Sequence, residues 1–132
     1  MYNFRTDLAL ERRDLYRKAQ GLDNEIEGIE TEEEAVGEKI KTARVKVMNE
    51  KGAEAIGKPI GTYVTIDIKK LKIATEEDIQ QSAEVLAKEL RDLLGKHIGS
   101  KDEILVVGLG NQYVTPDALG PKVISDIDVT RH

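Results

Sequence analysis

The chain has 132 residues, 39% hydrophobic and 34% charged, with a formal net charge of −5 and no cysteine. That length holds one domain or part of one, and the acidic balance argues against a surface built to track nucleic-acid phosphates. The absence of cysteine excludes disulfides, zinc–thiolate centres and a thiolate nucleophile and fits a reducing cytoplasm, while no apolar run reaches membrane-spanning length and no signal-peptide pattern opens the chain.

Asp7 to Lys18 reads as a charged helix, with an extended Leu8-Ala9-Leu10-Glu11 as the alternative, and Gly21 ends it. Glu25 to Glu34 is strongly acidic and reads as a short exposed strand, the Glu32-Glu33-Glu34 run being a solvated face. Ala43-Arg44-Val45-Lys46-Val47-Met48 alternates apolar and basic residues, the pattern of a strand with one wet face. Asn49-Glu50-Lys51-Gly52 is turn chemistry. Gly52 to Gly61 is a glycine-studded connection with a helical turn at Ala53–Ile56, and Tyr63–Ile68 is a second, stronger strand.

Thr75 caps the best helix in the chain, with Asp78 three residues on in a capping-box arrangement. Ile79, Ala83, Leu86, Leu90, Leu93 and His97 recur at helical spacing, which predicts a buried stripe on a helix ending near Gly99. Ile104–Val107 then supplies four consecutive apolar residues, the mark of a strand covered on both faces in a parallel sheet. Gly108-Leu109-Gly110 turns the chain, Thr115 caps a helix running to about Ile127, and Pro116 takes its first position. Strand, long helix, strand and helix predict an α/β fold with a mainly parallel sheet. So few core strands leave that sheet uncovered, so the sequence reads as the N-terminal piece of a longer protein.

The chemistry concentrates at the last turn. Gly108-Leu109-Gly110 fails as a dinucleotide fingerprint, because Tyr113 stands where the third glycine belongs; a tight strand exit needing positive φ or close backbone approach explains the glycines better. Asp117 lies just beyond a strand end, where α/β sheets place their chemistry. A purely structural carboxylate in a helix's first turn is the plain alternative. Asn111 and Thr115 add neutral hydrogen-bonding groups, and Pro116 and Pro121 stiffen the backbone around it, as a general acid or base requires. Helix N-terminal donors lower a carboxyl pKa, whereas an acid working near neutrality needs it raised. A second buried carboxylate would resolve that tension, and this sequence offers none: Asp126 and Asp128 read as solvated. Ser82, Ser100 and Ser125 lack a nucleophile elbow. His97 reads as a structural histidine, and His132 is terminal.

Six stretches, in chain order, carry a family resemblance: Arg5-Thr6-Asp7-Leu8-Ala9, Gly52-Ala53-Glu54-Ala55-Ile56-Gly57-Lys58, Gly61-Thr62-Tyr63-Val64-Thr65, Val106-Val107-Gly108-Leu109-Gly110-Asn111, Val114-Thr115-Pro116-Asp117-Ala118-Leu119-Gly120-Pro121-Lys122 and Thr130-Arg131-His132. Together they resemble the bacterial spore germination proteases, which degrade small acid-soluble spore proteins. The resemblance implies a three-layer αβα fold related to the hydrogenase-maturation peptidases. It also implies an atypical aspartic endopeptidase, made as a self-processing zymogen that cuts after an acidic and before an apolar residue. Asp117 would be one of two essential aspartates, the other lying beyond residue 132. Gly108, Gly110, Asn111, Thr115, Pro116 and Gly120 would form the active-site turn. The zymogen cut would fall between Asp7 and Leu8, making residues 1–7 a propeptide and residues 8–132 the N-terminal part of the peptidase domain. The implied partners are the spore-protein substrate, the remainder of the chain and further copies in a homotetramer, without membrane or direct nucleic-acid contact. The implied location is the spore core or forespore cytoplasm. The related maturation peptidases hold a metal at the position matching Asp117, but no metal or cofactor is assigned to this chain. The rival readings are a metal-dependent maturation-type peptidase and a non-catalytic α/β binding module. This fragment alone is expected to be inactive.

Overall fold

The computed structural model describes residues 6–70, 73–99 and 101–128. Met1 to Arg5, most of the expected propeptide, lie outside the described residues, as do Ser100 and the closing Thr130-Arg131-His132. Two compact units divide the chain, one ending at Leu94 and the other starting at Gly95.

In the first unit, helix α1 spans Ala9–Gln20. Arg17 and Lys18 in its last turn complement the helix dipole, and Gly21 ends it at φ 62°, a left-handed conformation that costs glycine little. Strands β1 (Ile29–Val36) and β2 (Ile40–Val47) form an antiparallel hairpin, with Val36 opposite Ile40 and Ile29 opposite Val47. Helix α2 (Glu50–Ile56) follows, and then β3 (Gly61–Ile68), which pairs antiparallel with the other edge of β2. The sheet order is β1-β2-β3.

Successive residues of a strand face opposite sides, and β2 is covered on both. Val45 and Val47 join Ile29, Ala9, Ile26, Ala55 and Ile56 in one core beneath α1 and α2. Ile56, Val45 and Val47 are no more than 1% exposed, and each contributes about 1.5–3 kcal/mol by leaving water. On the other face, Arg44 reaches helix α3 (Glu76–Leu94) and binds Glu89 in a two-pronged ion pair, with Nε to Oε2 at 2.8 Å. Glu89 is 3% exposed. Arg44 holds its carboxyl below the usual glutamate range.

The capping box on α3 is present. Thr75 Oγ1 accepts from the Asp78 amide at 3.2 Å, and Asp78 Oδ2 accepts from the Thr75 amide at 2.8 Å. Lys39 Nζ, in the hairpin loop, donates to the same carboxylate at 2.6 Å. Asn49–Gly52 is more than a turn: Asn49 is the N-cap of α2, its Oδ1 accepting from the Gly52 amide at 3.0 Å. A side chain at Gly52 would run into the Gly28 carbonyl.

Several expectations need correction. The sheet is antiparallel throughout the described residues, and Ile104–Val107 is not a strand. A strand exists only through pairing, and this run has no partner among the described residues; its four side chains are at least half exposed. Helix α3 ends at Leu94 rather than near Gly99, and the predicted stripe is not its buried side. Ile79, Leu86 and Leu90 stand about half exposed, and His97 is exposed, whereas Ser82, Val85 and Glu89 are buried. The ion pair to Arg44 selects that face over the more apolar one. The Glu32–Glu34 run is also not simply solvated. Glu32 and Glu34 pair with Arg44 at 3.6 and 3.1 Å, Glu33 pairs with Lys41, and Lys88 approaches Glu34 at 3.6 Å.

Candidate active site

The second unit holds the turn that the sequence singled out. Thr115–Asp117 is a 3-10 turn whose N-cap is Val114, and helix α4 runs Leu119–Ser125. Thr115 is therefore inside the turn rather than its cap, and Asp117 precedes α4 instead of opening a longer helix.

Backbone packing explains the glycines. Gly108, Leu109 and Gly110 lie directly against the start of α4. A side chain at Gly108 would strike the Gly120 carbonyl, one at Gly120 would strike the Leu109 carbonyl, and one at Gly110 would strike the Asp117 carbonyl. Gly110 also sits at φ 141°, a conformation that side-chain-bearing residues rarely adopt. The glycines thus serve close approach and positive φ.

Hydrogen bonds complete the frame. The Asn111 amide donates to the Asp117 carbonyl at 3.0 Å, and the Asp117 amide donates to the Val114 carbonyl at 2.8 Å. Asn111 Oδ1 turns back to accept from the Tyr113 amide at 3.0 Å. Ala118, next to Asp117, is 2% exposed and anchors the turn from below. The result is an exposed carboxylate on a backbone held from both ends. Gly110 and Asn111 meet the Asp117 backbone carbonyl, Gly108 and Gly120 pack where the glycine turn meets α4, and Thr115 and Pro116 lie in the turn itself. A shallow cavity of about 470 Å³ in the same unit is lined by Gln112, Tyr113, Pro121, Lys122 and Ser125.

The other candidates have ordinary roles. Ser82 Oγ donates to the Asp78 carbonyl and Ser125 Oγ to the Lys122 carbonyl, both at 2.7 Å. Asp126 and Asp128 are exposed. Among the described residues, no group of three or more His, Asp or Glu side chains stands together to hold a metal. No helix among them is long and apolar enough to cross a membrane.

In the first unit, Leu8 is the N-cap of α1, so the Asp7–Leu8 bond enters a helix. The Leu8 amide donates to Thr6 Oγ1 at 3.2 Å. Arg12, which sequence reasoning missed, donates through Nε to the Thr6 carbonyl at 2.6 Å and through Nη1 to the Gly57 carbonyl at 2.8 Å. The available signal was the matching of Arg5–Ala9 and Gly52–Lys58 in one family pattern, since the structure joins those two stretches through this side chain.

A rigid turn presenting one carboxylate suits hydrolytic chemistry, and the comparisons lead first to a peptidase family. Its model, described as germination protease, matches residues 7–132. The chain belongs to the germination protease family. It is 46% identical over 132 residues to the germination protease of Clostridium perfringens strain ATCC 13124, covering all of this chain and 39% of that protein. The germination protease of Clostridium acetobutylicum is 44% identical over 134 residues, covering all of this chain and 40% of its own length. That of Priestia megaterium is 43% identical over 137 residues, with 99% and 36% covered. The chain thus spans about two-fifths of the length of the curated relatives it matches.

Proposed function

We propose that this chain is the N-terminal part of a germination protease zymogen, an atypical aspartic endopeptidase that begins the degradation of small acid-soluble spore proteins in the spore core. The observation that carries this reading is the family match over residues 7–132. Residues 1–7 are the propeptide, and self-cleavage between Asp7 and Leu8 follows the same rule as substrate cleavage, after an acidic and before an apolar residue.

Asp117 supplies one of two carboxylates, and the second comes from polypeptide beyond residue 132. One carboxylate, ionised, takes a proton from water as the water oxygen bonds to the scissile carbonyl carbon. The other, protonated, gives its proton to the departing amide nitrogen as the C–N bond breaks. Two like charges at short range favour this unequal protonation, since both cannot ionise cheaply. The framed backbone at Asp117 keeps its carboxylate in register with a substrate, which is where positioning lowers a barrier.

The remaining polypeptide is also a packing partner. The outward side of α3 carries Ile79, Leu86 and Leu90 about half exposed, and Ile104–Val107 is an apolar run without a strand neighbour among the described residues. Covering them with further strands and helices builds the parallel layer of a three-layer αβα fold related to the hydrogenase-maturation peptidases. The fragment without that polypeptide is inactive, and the complete protein assembles as a homotetramer.

The test is Asp117→Asn in the full-length enzyme, assayed on a peptide with a Glu–apolar junction. Cleavage should be abolished while the circular dichroism spectrum and melting temperature are retained. Undiminished activity would end the proposal.

A further inference from the structure

The expected cut lies where an exposed segment enters a helix: Asp7 and Leu8 are both exposed, but the backbone around them is held in fixed geometry. Leu8 is the N-cap of α1, and its carbonyl accepts the first helical hydrogen bond, from the Arg12 amide at 3.1 Å. Ala9, the second residue after the bond, is 3% exposed and belongs to the core, so the chain on that side cannot extend without unwinding the start of α1. A protease reaches a bond in such a segment through local opening, so the fraction of time the segment is open governs cleavage.

One side chain holds that segment closed. The Arg12 guanidinium donates to the Thr6 carbonyl at 2.6 Å and approaches Asp7 Oδ1 at 3.4 Å. In the other direction it donates to the Gly57 carbonyl at 2.8 Å and the Ile56 carbonyl at 3.4 Å. Those two carbonyls end α2, where the helix dipole favours a cation. Ile56 is fully buried, so the helix end that Arg12 grips is fixed by the core even though Gly57 is exposed. The planar fork of arginine serves both directions at once, which the single ammonium of lysine does not.

We propose that Arg12 is a latch on the zymogen junction: a positioning residue that keeps Thr6 to Leu8 folded onto the end of α2 and thereby sets how fast the Asp7–Leu8 bond becomes a substrate. The inference rests on the zymogen reading above, and it adds the element that times maturation.

The experiment compares full-length wild type with Arg12→Ala and Arg12→Lys. Release of the Leu8 N-terminus is followed by intact mass and N-terminal sequencing, with and without an added protease specific for acidic residues. Losing hydrogen bonds to a charged group should raise cleavage at Asp7–Leu8 about tenfold in Arg12→Ala, with Arg12→Lys in between. Enzyme already processed to Leu8 should cut an external Glu–apolar peptide at the same rate with or without the substitution, which separates a latch from a general loss of folding. Equal rates of cleavage at Asp7–Leu8 by the added protease in wild type and Arg12→Ala would overturn the latch, whatever self-processing does. Loss of protection in Arg12→Ala without self-release of Leu8 from either protein would overturn the zymogen reading, leaving Arg12 a structural clamp only.

Discussion

The Asn111 amide donates to the Asp117 carbonyl at 3.0 Å, which ties the entry of the glycine turn to the backbone of its one carboxylate. Gly110, between Leu109 and Asn111, has no room for a side chain on the side facing that same carbonyl. The position of Asp117 therefore depends on a residue with no functional group.

Gly110→Ala should cost more activity than its chemistry suggests. An added methyl meets the Asp117 carbonyl at a φ of 141°, and strain of this kind is worth about 1–3 kcal/mol. Denaturant titration of the full-length protein should show that loss. The kcat of the remaining folded enzyme should fall by about tenfold or more, because small displacements of a reacting group are expensive.

Acid should weaken the start of α3 in a defined window. The Lys39 ammonium, with help from the Thr75 amide and hydroxyl, lowers the Asp78 carboxyl from 3.8 to about 2. A group whose pKa is lower in the folded state stabilises fully above its unfolded value and loses that contribution as pH falls through the folded one. Stability should therefore decline between about pH 4 and pH 2, and Asp78→Asn should flatten that part of the profile. An unchanged acid limb in Asp78→Asn would show that the capping box does not carry it.

The Arg44–Glu89 pair should behave asymmetrically on mutation. Glu89→Leu alone leaves the Arg44 guanidinium, 19% exposed, without its inner partner, and should cost about 3 kcal/mol. Arg44→Met with Glu89→Leu should recover much of that, because an apolar pair of similar volume avoids desolvating two charges. A double-mutant cycle by denaturant unfolding measures the coupling, and additive losses would refute it.

Local patterns were the most legible in the sequence. The Ala43–Met48 alternation marks β2, and the Thr75 and Asp78 pair marks the start of α3, because both depend on nearby residues. The glycines at 108 and 110 were readable as a close-approach turn, since that geometry admits no other residue type. The face of α3 was not readable: its apolar stripe looks outward, and a glutamate turns inward to meet an arginine from a distant strand. Ile104–Val107 misled for a related reason, because an apolar run becomes a strand only beside another strand. The basic residues of β2, at Lys41, Arg44 and Lys46, were the overlooked hint that the acidic run opposite would be paired across the hairpin. The turn that frames Asp117 was legible because its residues are close in sequence, whereas Arg12 joins stretches far apart in the chain and leaves no local mark.

The acidic strand β1 has a consequence for association. It lies at the edge of the sheet, where unpaired backbone groups invite a strand from another molecule. Glu30, Glu32, Glu33 and Glu34 each meet a base within their own chain. A second copy docking edge to edge would set glutamate against glutamate and disturb those matches. The hairpin thus carries its own guard against runaway edge-to-edge fibre growth.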